Sequence, residues 1–117
     1  MPTPDIHSLV APRVFQYRDA RRYLGDYYRY KKATSRGFSY RAFSRRVGLG
    51  SPNYLKLVVD GHRNVTPAMA RRFGLGCGLD EEELAYFVDL VAYTQARTDA
   101  EKASAWERIA PAYAPAE

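Results

Sequence analysis

Few side chains in this sequence have the types and spacing that enzymatic chemistry requires. The two histidines are His7, in a proline-rich start, and His62, in a basic turn, and Cys77 is distant in sequence from both. A Cys–His pair or a shared metal site would therefore be a coincidence of folding. The three glutamates at 81–83 stand at a predicted helix start, where acidic groups favour the helix dipole. We expect no enzymatic activity, no metal and no cofactor.

A glycine-rich run, GLGCG at 74–78, superficially resembles a phosphate-binding loop. A dinucleotide-binding turn follows a strand, whereas a helical pattern precedes this run. We interpret Gly74 and Gly76 as helix-weakening residues that cost about 1 kcal/mol each relative to alanine. Cys77 lies four residues after Phe73 and is expected to be a small core residue rather than a nucleophile.

The distribution of charge indicates a binding function more strongly. The chain has 117 residues and a formal net charge of +5. Residues 13–72 hold fifteen Lys and Arg against three acids, whereas residues 73–117 hold three basic residues against nine acids. A basic half of this kind favours a polyanion, either nucleic acid or an anionic membrane surface. The alternative interpretation is an arginine-rich surface that is merely solvated.

Composition is typical of one small domain. Hydrophobic residues make up 46% of the chain, which is enough for a core, and the single cysteine excludes an intrachain disulfide. The start lacks the features of a signal peptide, and no apolar run approaches the roughly 18 residues that span a bilayer. We therefore expect a soluble, cytoplasmic domain at 13–110, preceded by a flexible arm at 1–12 and followed by a tail at 111–117.

Helix signals predict an all-α fold, a compact bundle of five to six helices, because no run of alternating β-branched residues appears. Each predicted start has a capping residue or a proline just inside it. The predicted helices are 20–32 after Asp19, 40–47 after Ser39, one from Ser51-Pro52 to about 60, 67–77 after Thr66, 81–96 after Asp80, and one from Thr98 that ends before Pro111.

Residues 40–59 fit the twenty-residue pattern of a DNA-binding helix-turn-helix. Ser44 is the small residue at the fifth position, where the two helices cross closely, and Gly48 is the glycine at the ninth, where the turn requires a positive φ. Five further positions of the pattern require apolar residues, and all five are filled: Phe43, Val47, Leu49, Tyr54 and Leu57.

With these residues the chain resembles the Cro/repressor (XRE-like) type of helix-turn-helix domain over 39–84, including the turn at 59–64, where a glycine is followed by basic residues. Over 15–109, through the segments at 38–43, 51–58 and 61–64, it is similar to the N-terminal region of a bacterial family of regulators. In that family this region usually precedes a larger C-terminal domain of unknown function, so we expect a truncated or a short stand-alone relative. The resemblance implies a duplex-DNA-binding transcriptional regulator that reads the major groove with the helix around 51–60.

Helical geometry assigns directions within that third helix. At 100° per residue, Tyr54, Leu57 and Val58 share one face and are predicted to point into the core. Pro52, Lys56 and Val59 then point outward, with Asn53 and Leu55 on the flanks. The resemblance implies that this outward face enters the major groove. The base-contact candidates are Ser51, Pro52, Asn53 and Lys56. Helix capping explains Ser51 better than base contact does, and for Asn53 and Lys56 the alternative is an ordinary solvated helix surface.

Phosphate contacts are expected around the same motif. The free N–H groups at the start of the second helix favour an anion, and basic residues lie along that helix and after the third. For each arginine among them the alternative is an ordinary solvated charge. The candidates are Ser39, Tyr40, Arg41, Arg45, His62, Arg63 and Asn64.

The sequence is compatible with three functions. Besides a DNA-binding regulator, the apolar residues Pro52, Leu55 and Val59 suit a module that docks a partner protein, and basic and aromatic residues suit single-stranded RNA. Domains of the resembled type pair two half-sites about 34 Å apart, so we expect a homodimer on DNA. An apolar set in the last two helices is predicted either to close the core or to form the dimer surface: Leu84, Phe87, Val88, Val91, Trp106 and Ile109.

Overall fold

A computed structural model describes residues 10–116 of the chain. Over these residues the chain forms six α-helices and no strand, so the predicted all-α bundle is confirmed. Most of the predicted arm, with His7, lies outside the described residues. A 3-10 turn at Val14–Gln16 precedes the first helix and was not predicted. The helices are α1 (Ala20–Thr34), α2 (Tyr40–Val47), α3 (Tyr54–Val59), α4 (Pro67–Gly76), α5 (Glu81–Thr94) and α6 (Asp99–Ile109).

Side-chain caps explain why the helices begin where they do. The carboxylate of Asp19 accepts from the N–H groups at the start of α1, and the hydroxyls of Ser39, Thr66 and Thr98 do the same for α2, α4 and α6. Asp80 and Glu83 form a reciprocal capping box at the start of α5. These starts were predicted from sequence, and the predicted ends of α1, α4 and α5 differ from the structure by no more than two residues.

The third helix begins later than predicted. Asn53 has φ −100° and ψ 6°, and the N–H of Tyr54 donates to the carbonyl of Ser51 at 3.5 Å. These values fit a type I turn with Pro52 at its second position, where proline is favoured. Ser51-Pro52 is therefore a turn and not a helix start. The hydroxyl of Ser51 accepts from the N–H of Asn53 at 3.3 Å.

The predicted faces of α3 also need correction. Leu55, expected on a flank, is completely buried, and Val59, expected outward, is half-buried beside Gly25 of α1. Val58 is buried as predicted, whereas Tyr54 and Leu57 are only half-buried. The physical reason is that α3 packs against both α1 and α2, so its buried arc is wider than one core face.

The core joins all the helices through large side chains. Phe43 of α2 and Phe73 of α4 meet edge to face at 5.5 Å between ring centroids, and Tyr23 of α1 lies 5.7 Å from Phe87 of α5. The ring of Tyr54 also packs edge to face against the ring of Phe73, with centroids 5.5 Å apart. The apolar set of the last two helices closes this core, since Leu84, Phe87, Val91 and Ile109 are buried and Val88 and Trp106 pack half-buried against it.

Two glycines let α4 approach its neighbours closely. A Cβ atom on Gly76 would lie 2.5 Å from Cγ2 of Val47, and one on Gly74 would overlap the side chain of Leu84. Gly74 and Gly76 are therefore required by packing against α2 and α5. Among the helices of residues 10–116, none is long and apolar enough to cross a membrane.

Candidate nucleic-acid interface

The connection between α2 and α3 is held by a small buried residue and a glycine. Ser44 is almost fully buried, and its hydroxyl donates to the carbonyl of Ser51 at 2.9 Å. Gly48 ends α2 with φ +80°, a left-handed conformation that favours glycine. These two positions fix how the chain leaves α2 and enters the turn before α3.

Arg72 of α4 holds the same connection from outside. Its Nη2 donates to the carbonyls of Val47 at 2.7 Å and Gly48 at 2.8 Å, where the end of α2 leaves carbonyls without helical partners. The charge pattern of the sequence includes Arg72 only as one residue of the basic half. Nothing in the sequence signals this contact, because it joins residues more than twenty positions apart.

On α3 and the turn before it, the exposed side chains are polar apart from Pro52. Pro52, Asn53 and Lys56 are exposed, and Ser51 is half-exposed. Lys56 Nζ lies 2.7 Å from Oδ2 of Asp60. This ion pair raises the pKa of Lys56 and lowers that of Asp60, in both cases mainly through their hydrogen bond. Lys56 is thus a base-contact candidate that already has an acidic partner.

The start of α2 presents donors without protein acceptors. Ser39 Oγ accepts from the N–H of Ala42 at 3.0 Å, and the Ser39 carbonyl accepts from Phe43. Within residues 10–116, the N–H groups of Tyr40 and Arg41 donate to no other protein atom. Two free N–H groups at the positive end of a helix of eight residues can bind a phosphate oxygen.

Basic and aromatic side chains flank this helix start. Arg41 and Arg45 are exposed, and their side chains make no hydrogen bond or ion pair in the described part of the chain. The Tyr40 ring stacks on Tyr28 of α1, with centroids 3.8 Å apart. Burial, followed by the nearby Tyr28 hydroxyl and Asp60, raises the pKa of Tyr40.

The loop after α3 carries the remaining candidates, and all three are exposed. The guanidinium of Arg63 lies over the ring of Tyr54, 3.8 Å from its centroid, a cation–π contact. Asn64 Oδ1 accepts from Arg21 of α1 at 2.6 Å. The side chain of His62 makes no hydrogen bond within residues 10–116, whereas the backbone N–H of His62 donates to the carbonyl of Leu57. The sequence pattern predicts this loop as a contact region, but it gives no sign that Arg21 and Tyr54 support the loop.

The surroundings of Cys77 bear on the reactivity of its thiol. Cys77 packs against the core, and burial raises the pKa of its thiol well above the usual range, so the reactive thiolate is disfavoured. In the part of the chain that the structure describes, no three His, Cys, Asp or Glu residues are grouped to hold a metal.

Comparison with protein-family models, with curated proteins and with solved structures gave no match for this chain. The function of the site is therefore inferred from the chain's own residues.

Proposed function

We propose that the chain is a transcriptional regulator that binds duplex DNA through α2, the turn at 48–53 and α3, which together act as a helix-turn-helix. The observation that carries the proposal is the exposure pattern around α3. Its apolar side chains are buried or half-buried, Asn53 and Lys56 remain exposed, and two N–H groups that open α2 have no protein acceptor within residues 10–116. Polar side chains with hydrogen-bonding groups read base edges, and free N–H groups bind phosphates.

The roles follow from the position of each group. Asn53 suits a bidentate contact with adenine, and Lys56 suits guanine or a phosphate after it leaves Asp60. The N–H groups of Tyr40 and Arg41, with the side chains of Arg45 and Arg63, suit phosphates on either side. Ser51 is engaged with Asn53 and Ser44 in the turn, so we assign it to the support of the turn rather than to base contact.

A protein-docking role is less well supported, because Leu55 is buried and Val59 packs beside α1. This leaves Pro52 as the exposed apolar residue of the three on which that hypothesis depended. If the test below detects no duplex binding, docking of a partner protein becomes the better-supported function.

The test is affinity for a random duplex, an enriched duplex site and a single strand, measured by fluorescence anisotropy over a range of salt. With four to six phosphate contacts, the log–log slope of affinity against salt is expected to be roughly −4 to −5. Arg45→Ala should weaken binding to every duplex and reduce the magnitude of the salt slope by about one unit. Arg97→Ala, which removes the same charge beyond α5, is the matched control. It should change neither the affinity for duplexes nor the salt slope. Absence of duplex binding at low salt would overturn the proposal.

We further propose that two copies bind DNA together, with half-sites about 34 Å apart. The apolar side chains of α5 and α6 close the core of one chain, so they are not offered as the dimer surface. Stoichiometry on duplexes that carry one or two half-sites decides this point. One chain per duplex at saturation on the two-site duplex would contradict a homodimer.

A further inference from the structure

The guanidinium of Arg21 in α1 donates hydrogen bonds to the end of α3 and to the loop that follows it. Its Nη1 donates to the carbonyl of Val58 at 2.5 Å and to the carbonyl of Arg63 at 2.9 Å, while Nη2 donates to Asn64 Oδ1 at 2.6 Å. One planar side chain thus joins the end of α3 to residues 63 and 64. A lysine cannot reproduce this arrangement, because its ammonium is a single point with no rigid fork of donors.

These contacts also determine which way the Asn64 amide faces. Arginine has donors and no acceptor, so the amide oxygen of Asn64 must face Arg21 and the amide nitrogen must face away. Within residues 10–116, neither Nδ2 of Asn64 nor the N–H groups of Arg63 and Asn64 donate to another protein atom. The loop therefore presents three neighbouring donors whose placement depends on Arg21.

We propose that Arg21 is a positioning residue that holds the loop at 61–64 so that the Asn64 amide nitrogen donates to a DNA phosphate. This inference rests on the proposed function. The proposal assigns Arg21 a supporting role and not a phosphate contact, because three of its five N–H donors are directed at Val58, Arg63 and Asn64. Its neighbour Arg22 is exposed, and its side chain makes no hydrogen bond in the described part of the chain, so it provides a control with the same charge.

The first measurement uses the free protein. In Arg21→Met, the NMR order parameters of the backbone amides of Arg63 and Asn64 should fall from about 0.85, the rigid value, to below about 0.6. The amides of the core residues Phe43 and Phe73 should keep their values, and Arg22→Met should leave the loop rigid. Unchanged order parameters in Arg21→Met would overturn the positioning role, whatever the chain binds.

The second measurement is a double-mutant cycle in duplex binding. Arg21→Met and Asn64→Ala should each weaken binding about tenfold, the effect of one charge-assisted hydrogen bond, and the double variant should lose no more than either alone. Arg21→Lys should stay weak although its charge is restored. The salt slope of Arg21→Met should equal that of the wild type, because no phosphate charge is left unpaired.

A hundredfold loss in the double variant, or a salt slope smaller by about 0.9 in Arg21→Met, would mean that Arg21 contacts a phosphate directly, and would overturn the inference. Wild-type affinity for Arg21→Met would overturn it as well while leaving the proposed function intact. If the wild type binds no duplex, the proposed function fails and the phosphate contact fails with it, while the order parameters still report whether Arg21 holds the loop.

Discussion

The ring of Tyr28 lies flat against the ring of Tyr40, with centroids 3.8 Å apart and planes that differ by 4°. Tyr28 is in the middle of α1, and Tyr40 is the first residue of α2. The stacked pair therefore links α1 to the helix start whose free N–H groups are proposed to bind phosphate. Tyr30, on the same helix, makes no ring contact with another aromatic side chain within residues 10–116.

Tyr28→Leu should lower the free energy of unfolding by about 0.5–1.5 kcal/mol beyond the loss of buried area, the usual value of an aromatic pair. It should also weaken duplex binding, because the start of α2 loses one of its supports. Urea unfolding and anisotropy measure the two effects. Tyr30→Leu is the matched control, and an equal loss in both variants would show that the stacking contributes nothing specific.

The ion pair between Lys56 and Asp60 opposes the contact that Lys56 is proposed to make with DNA. Asp60→Asn should tighten duplex binding and make the salt slope steeper by about 0.9, because Lys56 is released and an acid is removed. Glu107→Gln makes the same charge change on α6 and should leave the slope unaltered. A slope that is the same in Asp60→Asn and the wild type would place Lys56 outside the interface.

Asn53 and Arg45 separate base reading from phosphate contact. Asn53→Ala should lose about 1–3 kcal/mol at the preferred site and relax the choice of base at one position. Arg45→Ala should keep the same preferred site while binding all duplexes more weakly. Binding-site selection on both variants beside the wild type measures the difference. If Asn53→Ala remains folded and selects the same sites with equal affinity, α3 is not the reading element.

Gly48 combines a positive φ with a close neighbour. A Cβ atom there would lie 2.8 Å from Nη2 of Arg72, whereas Gly37 has the same φ of +80° with nothing within 4 Å. Gly37→Ala should cost about 1–2 kcal/mol of stability for the left-handed backbone, and Gly48→Ala should cost more because Arg72 must also move. Gly50 has open space and no positive φ, so Gly50→Ala should be neutral or stabilise by about 0.4–1 kcal/mol. Thermal unfolding of the three variants tests this order.

Stability should fall at alkaline pH because buried tyrosines resist ionisation. Burial raises the pKa of Tyr27 and of Tyr86 from 10.0 to about 12. A group whose pKa is higher in the folded state contributes stability below its unfolded pKa, and this contribution is lost as the pH rises from about 10 through 12. Urea unfolding across that range should show a declining free energy.

Tyr86→Phe separates this effect from general alkaline damage. The variant loses the hydrogen bond from the Tyr86 hydroxyl to the carbonyl of Tyr17 at 2.6 Å, so its stability at neutral pH should be lower. Its decline between about pH 10 and 12 should nevertheless be shallower than that of the wild type, because one titrating group is gone.

The helix starts could be predicted from sequence because a cap is a local contact. Asp19, Ser39 and Asp80 bond to N–H groups two or three residues along the chain, so the residue type and its position carry the information. The predicted start of α3 was wrong for an equally local reason. Serine followed by proline is also typical of a type I turn, and the backbone of Asn53 shows that the turn is what forms.

The supports of the candidate site could not be predicted, because they join distant parts of the chain. Arg21 reaches Asn64 across 43 positions, and Arg72 reaches Gly48 across 24. Leu55 was misplaced for a related reason, since a single helical period defines one buried face whereas α3 lies against two helices. The exposed residues Asn53, Lys56 and Arg63 were identified correctly as surface positions, but their partners depend on the fold.

The two glycines that allow α4 to lie against α2 and α5 also determine when α4 forms during folding. A helix of ten residues is barely stable alone, and the glycines at 74 and 76, both in its last turn, give it a weaker intrinsic helix tendency than alanines would. α5 has a capping box and three glutamates in its first turn, so its intrinsic tendency to form is stronger. We therefore expect α4 to become helical only as its neighbours close around it, late in refolding. On that expectation, destabilising substitutions on α4 should accelerate unfolding and leave the refolding rate almost unchanged.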